Sequence, residues 1–299
     1  MRNPRNALLR KRAVLGAMLV VLVTAWLSAQ MASSAAVPPP DAGQAPEVES
    51  QSYCSSLSSG TAETAALASA CNFALSLRQT LPNFICDQTT RRYRPRRQPD
   101  FHNFRNAFGR HDVIAAHVMY QDGGESYTGI RVNGRPANVE MLELSGMDST
   151  GEFGSLLRSV FDPANLAEFT YVRTKRLNSR RAYLFRFRVA ERNNHSWTLY
   201  VDGFPYRPGF RGSLWLEQAT SRVLRVELGA TDFSATFPYS EDRIAVEYAD
   251  IPLGDGTSFR LPVRSENLAC LSSEMRCLQN LIEFKNYHKF RATHRLLTR

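Results

Sequence analysis

The stretch that decides the fold reads Phe210-Arg-Gly-Ser-Leu-Trp-Leu-Glu-Gln-Ala-Thr-Ser-Arg-Val-Leu-Arg-Val-Glu227. Its aliphatic residues recur at every second position, at Leu214 and Leu216 and then at Leu224 and Val226, and Leu228 just after the stretch continues the second run. A period of two places each set on one face of a β-strand. The polar residues 218–221 suffice for an antiparallel turn and are too few for a parallel crossover. The stretch therefore predicts a β-hairpin.

The same alternation recurs on both sides of this hairpin. Asp122-Gly123-Gly124 and Asn133-Gly134 mark two tight turns, because these residues supply the positive φ angles that short hairpins need. We count about ten or eleven strands, most of them apolar on one face and charged on the other, as in antiparallel sheets with one covered face. So many strands in one sheet tend to curl or close.

Two segments have helical spacing instead. Thr61 can cap a helix that Pro82 ends, and a short, strongly apolar helix is expected between Phe153 and Phe161. The sequence thus predicts an α+β fold. Its single large curved antiparallel sheet forms a half-open barrel in one domain, residues 61–299, with the two helices covering the concave face.

The first 36 residues have the pattern of an export signal. Five basic residues precede the apolar run from Ala13 to Leu27, and small residues follow up to Ala36. We expect a signal peptide at 1–36, or else an uncleaved N-terminal anchor that would bring the protein into contact with the membrane. Residues 37–60 are rich in Pro, Ser, Ala and Gly and predict a flexible linker. The expected location is the periplasm or cell envelope, or the medium if the protein is secreted.

The basicity of the chain depends strongly on this segment. The whole chain has 37 basic and 28 acidic residues and a net charge of +9. Removing 1–36 removes five basic residues and leaves 32 against 28, a net charge of +4. The charge is therefore weak evidence for nucleic-acid binding, and we expect none.

The five cysteines all lie beyond the export segment, where disulfides persist. Cys270 and Cys277 flank a short polar turn, and we expect a disulfide between them. A second bridge would join Cys71 to Cys54 or to Cys86. An odd number leaves at least one thiol unpaired or paired between chains.

The sequence holds no motif of a known catalytic class. A P-loop, HExxH, GxSxG and GxGxxG are all absent, and we predict no catalytic residues, no cofactor and no metal site. His111 and His117 share a predicted strand face, but two imidazoles alone do not define a metal site. Most carboxylates are expected to pair on the strand surface, as Arg225 would with Glu227.

One dense basic cluster stands outside the export segment, at Arg91-Arg-Tyr-Arg-Pro-Arg-Arg97. It is either a site for an anionic envelope partner or the solvated end of a strand.

Several segments resemble known families. Residues 81–92, 149–157 and 284–290 resemble an uncharacterised family of exported bacterial proteins. Gly212-Ser-Leu-Trp-Leu-Glu, with Thr220-Ser-Arg-Val-Leu-Arg225, is similar to the central hairpin of LolA-type periplasmic lipoprotein carriers, and residues 253–263 fit their strand–turn–strand rhythm. The resemblance implies a half-open antiparallel barrel around an apolar cavity, with helices as a lid, that binds acyl chains without catalysis.

The expected function is non-enzymatic binding of a lipid, an acyl chain or another amphipathic ligand on the concave face. The candidate ligand-binding residues share the apolar parity of their strands and are Phe185, Phe187, Trp197, Leu199, Leu214, Leu216, Leu224, Val226 and Tyr248. One alternative is a structural or protein-interaction module whose apolar face packs against its own helices. A second is a hydrolase that acts on envelope polymers. An empty apolar cavity would favour binding, and a filled core would favour the interaction module.

Overall fold

The computed structural model describes residues 47–95, 108–141, 144, 152–201, 204–234, 237–254, 256–272 and 277–290. All described residues belong to one compact unit, Ala42–Arg299. The predicted export segment lies outside the described residues.

The described ranges of this unit contain three α-helices: α1 (Glu47–Ser56), α2 (Ala62–Thr80) and α3 (Ser155–Phe161). Thr61 caps α2 as predicted, since its hydroxyl accepts a hydrogen bond from the Thr64 backbone N–H, and the helix ends just before Pro82. The predicted linker over 37–60 is wrong for residues 47–56, which form α1, and its residues 37–46 lie outside the described residues. The composition of α1 alone does not favour a helix, but a disulfide from Cys54 to Cys71 fastens it to α2. Among the described residues, no helix is long and apolar enough to span a membrane.

The strands are β1 (Phe84–Pro95), β2 (Phe108–Gln121), β3 (Gly124–Val132), β4 (Arg135–Pro136), β5 (Glu168–Leu177), β6 (Arg180–Val189), β7 (Leu199–Val201), β8 (Phe204–Tyr206), β9 (Gly209–Glu217), β10 (Val223–Thr231), β11 (Tyr239–Pro252), β12 (Ser258–Leu271) and β13 (Cys277–Lys289). Eleven of them form one open antiparallel sheet in the order β4-β3-β2-β1-β13-β12-β11-β10-β9-β6-β5. The predicted α+β fold with a single large antiparallel sheet is confirmed.

The central hairpin forms as predicted, with Leu214 opposite Val226 and Ser213 opposite Glu227. Gly212 is required here, because a Cβ atom at this position would come within 1.9 Å of the Glu227 carbonyl oxygen and 2.5 Å of the Phe187 ring. One face of the hairpin belongs to the main hydrophobic core. We call the face of the large sheet that carries this core the inner face.

Ring contacts show that the sheet curves around α3. At one end of the helix Phe153 lies 5.5 Å from Phe84 on β1, and at the other Phe161 stacks on Phe169 of β5 at 5.3 Å, measured between ring centroids. Seven interstrand steps separate β1 from β5, about 34 Å in a flat sheet. A helical segment from 153 to 161 spans only about 12 Å. The sheet bends around the helix, so that the two ends of one short helical segment contact both strands.

One predicted strand leaves the large sheet. Leu199, predicted to lie on the concave face of the large sheet, belongs instead to β7, which pairs with β8 in a separate two-stranded sheet. A polar turn precedes this hairpin, where Asn194 Nδ2 donates hydrogen bonds to the carbonyl oxygens of Trp197 at 2.6 Å and Pro208 at 2.8 Å. These bonds hold the two ends of the hairpin together beside the start of β9.

Two disulfides fasten the unit. Cys270 and Cys277 stand directly opposite each other on β12 and β13, with their Cα atoms 3.9 Å apart, as predicted. Cys54 is the partner of Cys71, which settles the alternative that the sequence left open. Cys86 is the buried free thiol, and burial raises its pKa to about 12. It is therefore protonated at neutral pH and a poor nucleophile.

Candidate functional site

The inner face brings together most of the residues predicted to bind a ligand. Six of the nine belong to one buried cluster, each at most 6% exposed: Phe185, Phe187, Leu214, Leu216, Val226 and Tyr248. They come from β6, β9, β10 and β11, which are consecutive in the sheet. Trp197 is partly buried, packs against this cluster and lies 5.5 Å from the ring of Phe210.

Two predicted residues lie outside that cluster. Leu224 is the extra residue of a β-bulge, where Val223 pairs with Leu216 and Arg225 with Trp215. One extra residue reverses the parity of a strand, so Val223 joins the cluster in its place. Leu199 belongs to the separate β7–β8 hairpin, where it pairs with Tyr206. Whether any of the nine binds a ligand stays a prediction.

The inner face is filled by the protein's own helices. Helix α3 contributes Leu156, Leu157, Val160 and Phe161 to the cluster, and none is more than 5% exposed. Phe153, just before the helix, packs edge-on against Phe284 with ring centroids 5.0 Å apart. The apolar wall that the sequence predicts is therefore present, and in this structure α2 and α3 occupy it.

Polar contacts hold α3 at both ends. At its start the Tyr248 hydroxyl donates to the Glu152 carbonyl oxygen at 3.3 Å, and the Ser265 hydroxyl lies 3.5 Å from the Glu152 carboxylate. At its end Asn165 Nδ2 donates to the Ser159 carbonyl oxygen at 2.7 Å. Each of these contacts can break and re-form, whereas a covalent bridge holds α2 to α1.

Sequence reasoning missed a buried polar row at one end of the inner face. Asp112, Arg92, Asn280 and Asn267 stand side by side on β2, β1, β13 and β12. Arg92 and Asp112 form a bidentate ion pair at 2.6 and 2.7 Å, with both side chains 8% exposed. Asn267 is 3% exposed, and its Nδ2 has no hydrogen-bond partner among the described residues. The period of two on β1 was the available signal, because it places Arg92 on the same face as Phe84.

The inner face is apolar at one end and polar at the other. It could accommodate an amphipathic molecule if α3 moved away. Tyr248 belongs to the apolar cluster, and burial raises the pKa of its hydroxyl well above the usual value. It therefore remains a neutral hydrogen-bond donor. A hollow of about 210 Å³ lies elsewhere, where Leu166, Glu168, Arg188, Ala190, Arg192 and Asn193 line it.

The basic cluster at 91–97 is partly neutralised. Arg91 lies 3.3 Å from Glu283, and Arg92 makes the buried pair with Asp112. Arg96 and Arg97 lie outside the described residues. These pairs favour the interpretation of the cluster as a strand end, and the anionic partner stays a prediction.

The structure also shows the contacts of the two histidines and of the carboxylates that the sequence analysis considered. Within the described ranges no three His, Cys, Asp or Glu side chains are arranged to hold a metal ion. His117 lies 2.7 Å from Asp87, while His111 lies 3.6 Å from Asp112. Arg225 contacts both Glu227, at 2.6 Å, and Glu247, which confirms the predicted surface pairing.

Comparison with known proteins yields a distant likeness of fold. No family model matches the chain, so the resemblance to the uncharacterised exported family stays a prediction. No curated protein matches it either.

Three solved structures illustrate the likeness. A LolA superfamily protein from Nitrosomonas europaea is 14% identical, with 73% of this chain and 90% of that chain covered and a TM-score of 0.35. A putative outer membrane lipoprotein-sorting protein domain from Vibrio parahaemolyticus is 9% identical, with 78% and 95% covered and a TM-score of 0.36. A DUF1329 family protein from Desulfovibrio piger is 12% identical, with 74% and 92% covered and a TM-score of 0.36. The chain is thus distantly similar to solved LolA superfamily structures, as the central hairpin predicted, and nothing about ligand or activity follows from likeness at this level.

Proposed function

We propose that the protein binds the apolar chain of an amphipathic ligand on its inner face, without catalysis, and that the ligand takes the place of α3. The observation that carries the proposal is the wrapping of the sheet around a helix of only seven residues. Many strands contribute to the inner face, and this face surrounds the short helix α3. Removing that helix would expose a continuous apolar surface and leave the sheet hydrogen bonds intact.

The contacts at the ends of α3 support its role as a displaceable plug. Its first turn has no side-chain cap, since the N-cap position is Gly154. The links to Tyr248, Ser265 and Asn165 are hydrogen bonds, each of modest net stability in water. A ligand that buries comparable apolar area can therefore compete with the helix for the same surface.

The polar row supports an amphipathic ligand over a pure hydrocarbon. Asn267 Nδ2 is a buried donor without a partner among the described residues, and a carbonyl or carboxylate oxygen on the ligand would satisfy it. The Ser265 and Tyr248 hydroxyls, which contact Glu152 while α3 is in place, would become available to the same head group.

A fluorescent fatty-acid probe tests the proposal. We expect wild-type protein to take up the probe and Phe161→Ala to take it up more tightly. Losing the stacked contact with Phe169 weakens the competing helix, and a phenylalanine truncation in a core costs about 3–5 kcal/mol. The matched control is Leu67→Ala on the disulfide-fastened α2, which should lower stability without raising probe affinity. Failure of both wild type and Phe161→Ala to take up the probe would contradict the proposal.

The filled inner face favours a second candidate, a structural or protein-interaction module of the envelope. In that case α3 is a permanent part of the core, and Phe161→Ala would only lower the melting temperature. Titrating the probe while following circular dichroism distinguishes the two, because only a displaceable helix couples its loss of order to probe uptake.

A further inference from the structure

The hairpin of β5 and β6 is strongly basic. Residues 168–189, which span β5 and β6, hold seven basic residues and one acidic residue, a net charge of +6. The chain without the predicted export segment has a net charge of only +4, so its remainder is negative. Such asymmetry produces a local positive field that the overall charge conceals.

Three exposed arginines meet where β6 ends. Arg188 and Arg192 line the hollow of about 210 Å³, together with Glu168, whose carboxylate offsets one of the two charges. Arg211 on β9 stands directly opposite Arg188, and like charges in that position repel each other. Within the described part of the chain, none of the three arginines has an ion-pair partner. The hollow has room for several water molecules, and hence for a phosphate group.

Large apolar side chains are exposed beside the hollow and on the hairpin that follows it in the chain. Leu166, also a lining residue of the hollow, is 63% exposed, while Tyr200 and Phe204 on the β7–β8 hairpin are 67% and 75% exposed. In the sequence this hairpin begins after Arg192 and ends just before Arg211. The hydrogen bond between Asn194 and Pro208 closes its base. We call these six residues the basic corner: Leu166, Arg188, Arg192, Tyr200, Phe204 and Arg211.

We propose that the basic corner docks on the surface of an anionic phospholipid bilayer. The arginines would bind lipid phosphates, with one phosphate in the hollow, and the exposed aromatic and leucine side chains would enter the interfacial layer. A soluble polyanion would satisfy the arginines equally well but would give Leu166, Tyr200 and Phe204 nothing to bury against. The combination of charge and apolar exposure is what favours a bilayer. This inference is independent of whether a ligand binds on the inner face.

Sedimentation of the full chain with vesicles tests the proposal, using phosphatidylcholine vesicles with and without phosphatidylglycerol. Wild type should bind the anionic vesicles more tightly, and added salt should weaken the binding. Each arginine near an anionic surface contributes about fivefold, so Arg188→Gln with Arg192→Gln should weaken binding by about 30-fold. Phe204→Ser should weaken it several-fold at unchanged charge.

The matched control is Arg131→Gln with Arg135→Gln, which makes the same charge change at the opposite edge of the sheet and should have little effect. All variants share one N-terminus, so insertion of the apolar segment cannot cause differences between them. Equal loss of binding in both double variants would overturn the proposal, because it would reflect overall charge alone. The proposal would also be overturned if the protein bound heparin as tightly as anionic vesicles and Phe204→Ser left the affinity for heparin unchanged. That result would favour a soluble polyanion as the partner.

Discussion

At the scale of single residues, Asp242 on β11 is the clearest departure from ordinary behaviour. It pairs across the sheet with Ala269, and burial without a compensating charge raises the pKa of its carboxyl to about 7. The folded state thus holds a proton that the unfolded chain releases near pH 4. Between about pH 4 and pH 7 the folded state binds more protons, so stability falls as pH rises through that window and levels off above it.

Asp242→Asn should therefore stabilise the protein at high pH. The amide resembles the protonated carboxyl and escapes the cost of ionisation, so urea unfolding should show a gain of about 4 kcal/mol at pH 8 and almost none at pH 4. Asp87→Asn is the control of opposite sign, because hydrogen bonds from Asn286 and His117 lower the pKa of Asp87. Its stability should fall at pH 8. A gain for Asp242→Asn that is equal at both pH values would contradict the assignment.

At the scale of elements, β12 and β13 form the hairpin whose bridge the sequence predicted. Cys270 and Cys277 close a loop of eight residues, which the chain-entropy model converts to about 2.5 kcal/mol. Cys277→Ser should lower the melting temperature by about 5–10 °C under oxidising conditions. Under reduction the wild type and the variant should converge, because both then lack the bridge. Equal melting temperatures without reductant would show that the bridge contributes nothing.

The elements also show what a sequence pattern can and cannot predict. The period of two located the central hairpin, β6 and β11, because a half-buried strand must alternate. The period of two assigned Leu224 to the wrong set of residues, because a β-bulge adds one residue to the strand and nothing in the composition of the strand reveals it. It also assigned β7 to the large sheet, because a short alternating run does not specify its partner strand. Helix α1 was missed since its stability depends on a disulfide to a distant residue.

At the scale of the whole molecule, the sequence predicted an apolar face but not what covers it. Alternation in single strands cannot reveal that Phe153 and Phe161 reach β1 and β5 from opposite ends of α3. The polar row was not predicted either. The period of two places Arg92 on the inner face, but the four residues of the row lie on four different strands and become neighbours only through the register. Experiment must therefore decide whether a ligand can replace α3 on the inner face.

The single variant Leu216→Glu distinguishes an inner face that binds a ligand from a permanently filled core. Leu216 is fully buried on β9 between Tyr183 and Val223, so a carboxylate there costs several kcal/mol while the inner face is closed. If the inner face opens to admit a ligand, the open form hydrates the new carboxylate, and the protein stays folded but loses uptake of the fatty-acid probe. If α3 is a permanent part of the core, no such open form exists and the variant unfolds. Circular dichroism reports folding and probe fluorescence reports uptake, with Leu216→Met as the control that preserves both. A wild type without uptake, together with a Leu216→Glu variant that unfolds, would contradict ligand binding and support the interaction module.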